Sequence, residues 1–224
     1  MSTAMTLDPP GSIAVVGAGP LGIEAALYGR FLGYDVTLME AVAVASSIRP
    51  QAQSPLPLPP DRSLSPLAVG ALQAQFPELA TTTKPTTIGE WIEQSLERII
   101  ATDLLRGRLK CPARVVEIDT VDVEMDDADE AAGDEEELPP DFRLSITGID
   151  SMETLDAESV ILAVGESSEI SLKFPTPMPY FFRIGEGATG NAEEDYWGGL
   201  KQIVAIYAAL GGRPDLDLYR PRRH

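Results

Sequence analysis

Ser12-Ile13-Ala14-Val15-Val16-Gly17-Ala18-Gly19-Pro20-Leu21-Gly22 is the stretch that decides the fold. Ser12 to Val16 is short, apolar and rich in β-branched residues, which reads as a strand buried on both faces in a parallel sheet. From Gly22 to Leu32 the period changes. Ile23, Ala26, Leu27 and Phe31 fall three and four residues apart, as on the apolar face of a helix. Gly33 stops that helix, and Tyr34 to Met39 returns to a strand ending at Glu40. A strand, helix and strand in about thirty residues is the size of a parallel βαβ crossover.

The turn between strand and helix has the spacing G-x-G-x-x-G, and each position has a physical task. Gly17 permits the tight turn, and Gly19 has no side chain to block a pyrophosphate. Gly22, followed by Ala26, lets the helix lie close to the sheet. Backbone N–H groups around Pro20 to Gly22 sit at the positive end of the helix dipole, where phosphate oxygens are favoured. Gly17, Ala18, Gly19, Pro20, Leu21 and Gly22 are therefore the candidate pyrophosphate-binding residues. Glu40 lies eighteen residues beyond Gly22, near the ~20 expected of the acid that accepts from ribose hydroxyls. An acid there repels a 2′-phosphate, which disfavours NADP. These residues specify an ADP-bearing dinucleotide, and NAD satisfies them as well as FAD does.

Composition excludes several other chemistries. The 224 residues can bury a sizeable core. Seventeen basic residues against 35 acidic ones give a net charge of -18, which argues against a nucleic-acid partner. No stretch approaches the ~20 apolar residues of a membrane span, and Met1 to Pro10 has no basic residue before an apolar run, so the expected location is cytoplasmic. Cys111 is the only cysteine, so an intrachain disulfide, a Cys-x-x-Cys redox pair and a cysteine-rich zinc site are ruled out. The only histidine is His224, the last residue, which leaves none for a catalytic triad or a histidine metal site. No metal is expected.

The rest of the chain reads as one α/β domain, residues 1–224, with a central parallel sheet and a three-stranded β-meander. Residues 41–66 form a loop whose Pro50, Pro55, Pro57, Pro59, Pro60 and Pro66 forbid a regular helix or central strand, and it is expected to lie over the nucleotide site. A short helix is expected between Ser65 and Phe76. Thr86-Thr87-Ile88-Gly89-Glu90 resembles a capped helix start, and Trp91, Ile92, Leu96, Ile99, Ile100 and Leu104 then mark one face of a helix over 88–105. Trp91 reads as core. Arg114 to Val123, Phe142 to Thr147 and Val160 to Val164 read as strands. Residues 126–140 form an acidic hairpin tip; Asp126 to Glu137 holds eight acids and no base. Tyr180 to Ile184 is a last apolar run before Gly185. Tyr196 to Leu210 reads as an amphipathic helix ended by Gly211-Gly212, with a charged surface tail over 213–224.

Three segments give this order a family resemblance. Leu155-Asp156-Ala157-Glu158-Ser159-Val160-Ile161-Leu162-Ala163-Val164-Gly165 resembles the second flavin-associated motif of the FAD-dependent pyridine nucleotide oxidoreductases and flavin monooxygenases, the flavoproteins with two dinucleotide-binding domains. Val164 stands where that motif usually has Thr. Tyr180-Phe181-Phe182-Arg183-Ile184-Gly185-Glu186 is similar to the family's last motif, with Glu186 replacing its usual Asp. The third is the Gly17–Glu40 fingerprint itself. The resemblance implies a Rossmann-like FAD/NAD(P)-binding domain, with FAD as cofactor and NAD as second choice. It implies that Ala163 and Gly165 line the cofactor, that Gly185 and Glu186 hold the ribityl end with the next helix starting beneath the ring, and that Val115 lies near adenine. No second Gly-rich crossover is found between Glu40 and Val160, so the chain resembles the FAD domain with the NAD(P)H domain reduced to a direct connection.

Two functional classes follow from the resemblance. One is an FAD-binding oxidoreductase or its FAD module, taking electrons from a redox partner protein or from a substrate docked at the ring. The other is a non-catalytic module that holds NAD or FAD for sensing or protein interaction. A small NAD-dependent dehydrogenase is disfavoured, because Tyr196 and Lys201 sit five apart and do not share a helical face. No catalytic residue is assigned.

Overall fold

The computed structural model describes residues 6–78, 84–121, 140–148, 152–165 and 169–220. Strand β1 (Ser12–Val16) lies at the centre of a five-stranded sheet, paired in parallel with β2 (Asp35–Met39) on one side and β7 (Ser159–Leu162) on the other. Being paired on both edges and covered on both faces is why Ile13 to Val16 can be apolar without alternation. The two-residue β3 (Leu109–Lys110) adds beside β2, and β9 (Phe181–Arg183) beside β7, all parallel. The sheet order is β3-β2-β1-β7-β9.

Side chains alternate between two cores. Ile13, Val15, Val36, Leu38 and Ile161 point to the helical layer. Ala14, Val16, Met39, Val160 and Leu162 point to a second sheet. That second sheet has β4 (Arg114–Val121), β5 (Asp141–Thr147), β6 (Met152–Ala157) and β8 (Ser171–Leu172) in the order β6-β5-β4-β8. The expected three-stranded meander is β4-β5-β6, with β8 added in parallel to β4. Strand β6 is an edge whose first half, Met152–Thr154, is exposed, while Leu155 and Ala157 face the second core; its register is marked by the Arg143–Asp156 pair, bonded at 2.8 and 2.6 Å.

Helix α1 (Pro20–Leu32) opens with proline in its first turn and ends at Gly33, whose φ of 96° is the left-handed conformation that closes a helix. Gly22 through Gly29 are buried all round. Phe31 departs from the expected apolar face: it is 52% exposed, because the last turn runs past that enclosure and is held instead by Arg30 bonds to the carbonyls of Tyr34 and Leu104. Helix α2 (Pro66–Gln75) starts at Ser65, whose hydroxyl accepts from the Ala68 N–H at 3.0 Å.

The middle helix is shorter and less regular than a single run over 88–105. It comprises α3 (Ile88–Trp91), a π-helical turn at Ile92–Leu96, and α4 (Glu97–Ala101). Thr87 and Glu90 form a reciprocal capping box at its start. It stops at Thr102, which turns to extended backbone and donates its hydroxyl to the Ile99 carbonyl at 2.6 Å. Leu104 and Leu105 therefore sit in turns rather than on the helix.

Helix α5 (Ala192–Leu210) begins four residues earlier than the apolar pattern indicates, with Asn191 accepting from the Glu193 and Glu194 N–H groups. It packs on α1 through stacked Tyr28 and Tyr207 rings, centroids 5.0 Å apart. The segment after it is not a free surface tail. Leu216, Leu218 and Tyr219 pack against the core, and the Leu218 N–H donates to the Tyr28 hydroxyl at 3.1 Å. The proposed acidic tip at 126–140, except Pro140, lies outside the described residues, as do residues 221–224. Among the described residues no helix is long and apolar enough to cross a membrane, and no cluster of potential metal ligands occurs.

Candidate functional site

The C-terminal ends of β1, β2 and β7 open onto a cleft of about 650 Å³. This is where loops leaving parallel strands place ligand sites in open α/β sheets. Gly17 makes the turn from β1 with φ of 102°. A Cβ there would stand 2.7 Å from the Ala163 carbonyl oxygen, so the turn is closed against the residue that leaves β7. Gly22 is tighter still: a Cβ would lie 1.8 Å from the Gly17 carbonyl oxygen. Gly19 is the opposite case, with ordinary φ of -74° and nothing within 4 Å of a Cβ. Its missing side chain leaves open space over the helix start.

The first bond of the α1 ladder runs from the Ile23 N–H to the Gly19 carbonyl at 3.0 Å. The N–H groups of Leu21 and Gly22 precede it and have no place in the ladder, which leaves them for an anion. No acid stands in the first turn.

Glu40 is 7% exposed, and its backbone is fixed by bonds to Lys110 and Ala113. Its carboxylate has a structural task that the spacing does not reveal. Oε2 accepts from the Ala18 N–H at 2.9 Å, while Oε1 accepts from the Val42 N–H and the Ser46 hydroxyl, both at 3.0 Å. It thus ties the Gly-rich turn to the start of the Pro-rich loop, and the Ala45 N–H adds a bond to the Ala18 carbonyl at 2.9 Å. Oε2, with one bond, has acceptor capacity left, whereas Oε1 already accepts two. Cys111 borders this end, its Sγ donating to the Val42 carbonyl at 3.4 Å; burial and then the Glu40 charge push its thiol up, which makes it a poor nucleophile.

Val115, Ala163 and Gly165 also line the first cleft, along with Ala113, Arg114 and Val116 from the start of β4. Gly185 lies at its far end and also lines a second cleft of about 410 Å³. Pro20 and Leu21 are shared in the same way, so the two clefts meet across the start of α1. The Pro-rich loop walls both: Ala41, Val42 and Ser46 face the first, and Ile48, Pro57 and Leu58 the second.

The second cleft lies at the N-terminal end of α5. Trp91 and Tyr196 line it, their rings edge to face with centroids 6.2 Å apart, so Trp91 is both core and wall. Glu186 also lines it, but its carboxylate is paired with Arg183 at 3.2 Å. Asp195 accepts from the Thr189 N–H and hydroxyl, which hold its carboxyl below the usual range. The Tyr196 hydroxyl is turned away to buried Glu24. Gln202, which no motif singled out, accepts the Gly185 N–H at 2.8 Å.

No protein-family model and no curated protein matches the sequence. Among solved structures the chain is similar to OTEMO in complex with FAD and NADP, at 16% identity, over 70% of this chain and 26% of that one, with a TM-score of 0.44. It is similar to oxidized steroid monooxygenase bound to NADP at 21% identity, over 69% and 26%, with a TM-score of 0.46. It is also similar to the closed form of cyclohexanone monooxygenase at 18% identity, over 73% and 26%, with a TM-score of 0.43. The likeness is one of chain trace, and the chain spans about a quarter of the length of these structures.

Proposed function

We propose that this chain binds FAD in an extended form across the two clefts and serves as an FAD-holding oxidoreductase module. The observation that carries the reading is the continuity of the two clefts at Pro20, Leu21 and Gly185. A ligand with an adenosine at one end, a pyrophosphate in the middle and a flat ring at the other has a matching surface at each point. Glu40 and Val115 hold the adenosine end, and the free N–H groups at Leu21 and Gly22 receive the pyrophosphate beside the open space over Gly19. Ala163, Gly165, Gly185 and Glu186 flank the path toward the ring, which rests between Leu21, Trp91, Tyr196 and the start of α5.

The residues fit such a group. The second cleft has apolar and aromatic walls for a planar ring, and the first has the Glu40 carboxylate for hydroxyls, with Arg114 also on its lining. When bound, the flavin supplies redox chemistry that side chains lack. The chain's own residues bind and orient it. Electrons come from a partner protein or from a substrate docked at the ring.

One observation favours a second reading, a holding module without turnover. The titratable side chains at the second cleft are committed within the protein: Glu186 to Arg183, Asp195 to Thr189, and Tyr196 to Glu24. Glu194 is an exposed carboxylate. An absorbance spectrum of the purified protein tests the main reading, followed by titration with FAD, NAD and ADP. A yellow protein, or tight FAD uptake exceeding that of NAD, is the expected result; a colourless protein that takes up no FAD overturns it. Tight FAD binding with no reduction by any electron donor selects the holding module.

A further inference from the structure

Helix α5 presents Asp195, Gly198, Gly199 and Gln202 to the second cleft, and their spacing of three, four and seven places them on one helical face. At Gly198 a Cβ would meet nothing within 4 Å, so bare backbone is offered there to a flat group lying on the helix, whereas Gly199 is covered by Leu21, whose Cδ1 lies 2.3 Å from where a Cβ would stand. Gln202 lies one turn beyond Gly198. Its Oε1 accepts the Gly185 N–H at 2.8 Å. A backbone N–H can be received only by the amide oxygen, so this bond fixes which way the amide points. The amide nitrogen then carries two N–H donors, with no acceptor among the described residues.

The other side-chain donors of this cleft are spent or sealed. The Tyr196 hydroxyl donates to Glu24 and the Thr189 hydroxyl to Asp195. The Trp91 indole N–H has no acceptor, but it is fully buried behind the wall.

We propose that Gln202 is the specificity residue of the second cleft: pinned through its oxygen by Gly185, it donates from its amide nitrogen to a carbonyl oxygen of the ring held on α5. The ligand class is a planar heteroaromatic ring bearing a carbonyl on its edge. This rests on the FAD reading above and adds the group that reads the ring. A donor at a ring carbonyl stabilises negative charge that collects there on reduction, so the residue also tunes the ring's potential.

The test uses the full chain with Gln202→Glu and Gln202→Leu. Gln202→Glu keeps the acceptor for Gly185 and replaces the donor by a second acceptor. Gln202→Leu removes both, and a thermal melt shows whether it still folds; Gln202→Glu carries the test if it does not. Calorimetry gives the Kd for FAD and for ADP, and spectroelectrochemistry gives the flavin midpoint potential. The expected result for Gln202→Glu is an FAD Kd raised tenfold or more, an ADP Kd within twofold of the wild type, and a lower midpoint potential. An unchanged FAD Kd and potential in Gln202→Glu overturn the role of Gln202 while leaving FAD binding intact. A wild type that binds ADP but not FAD overturns the underlying reading instead.

Discussion

The Tyr196 hydroxyl donates to Glu24 Oε1 at 2.8 Å, joining the wall of the second cleft to a carboxyl that is 1% exposed inside α1. Among the described residues Glu24 has no cationic partner. It is held by donors alone: the Ser65 N–H at 3.0 Å and hydroxyl at 2.7 Å, Tyr196, and at 3.5 Å the Tyr219 hydroxyl. One side chain therefore connects α1, the cap of α2, α5 and the segment after it.

That arrangement predicts a pH dependence. Burial pushes the Glu24 carboxyl above the ordinary range, further than the bonds from Ser65, Tyr196 and Tyr219 pull it down. A carboxyl raised on folding binds its proton more tightly in the folded state. Its contribution is complete below the unfolded value of about 4.3 and is lost as pH rises through the raised value. The wild type therefore loses stability relative to Glu24→Gln as pH climbs from the ordinary glutamate range toward neutrality. Urea melts of both proteins across that range check it, and a pH-independent difference contradicts it. Glu24→Leu leaves the Ser65 and Tyr196 donors unpaired and costs roughly 3 kcal/mol.

Two glycines of one motif give opposite outcomes. Gly22→Ala drives a methyl into the Gly17 carbonyl and costs at least ~3 kcal/mol or abolishes folding, read by thermal melt. Gly19→Ala has room and an ordinary φ, so it melts within about 1 kcal/mol of the wild type. Its methyl occupies the approach to the Leu21 and Gly22 N–H groups. ADP and FAD affinity should each fall at least tenfold, and unchanged affinity would remove the pyrophosphate from this turn.

Glu40→Gln separates the two tasks of that carboxylate. The amide retains one acceptor oxygen and sets an NH₂ against either the Ala18 N–H or the Val42 and Ser46 donors, at a cost of roughly 1–2 kcal/mol. ADP binding weakens about tenfold, one hydrogen bond to a charged acceptor being worth ~1.5 kcal/mol or more. The preference for ADP over its 2′-phosphorylated form narrows, because the repelling charge is gone. Competition titrations with the two nucleotides measure it.

Tyr219→Ala tests the docked C-terminal segment. The ring packs edge to face on Tyr28 with centroids 5.1 Å apart, so its loss costs about 2 kcal/mol, near 4–8 °C in Tm for a chain of this size. FAD affinity stays within twofold, since Tyr219 lines neither cleft.

The crossover at Ser12–Glu40 was legible because each of its signals is local: an apolar run, a glycine spacing, a helical period, and an acid at a set distance. The capped helix start at Thr87, with Glu90 in its first turn, was legible for the same reason. Strand β6 was not, because an exposed edge strand needs no apolar alternation, and Met152-Glu153-Thr154 shows none. The break in the middle helix depends on Thr102 bonding back to Ile99 and on a π turn that shifts the apolar face, neither of which periodicity records. The segment after α5 looked like surface on charge content, yet Leu216, Leu218 and Tyr219 had a tyrosine face to cover on α1. In the site, the motif residues Gly17, Glu40, Ala163 and Gly185 fall together around one cleft. Ser46, Gln202 and the double duty of Glu40 could not be read, since they come from loop and helix positions that meet only in three dimensions.

The bond from the Ala163 N–H to the Val16 carbonyl at 2.8 Å has a further consequence. The glycine fingerprint forms only half of the first cleft; its opposite wall, which includes Ala163 and Gly185, is synthesised some 140 residues later. A ribosome-bound chain that has displayed the whole motif still lacks the other side of that cleft. On the proposed reading, cofactor loading would therefore report that the last strands have taken their places beside the first.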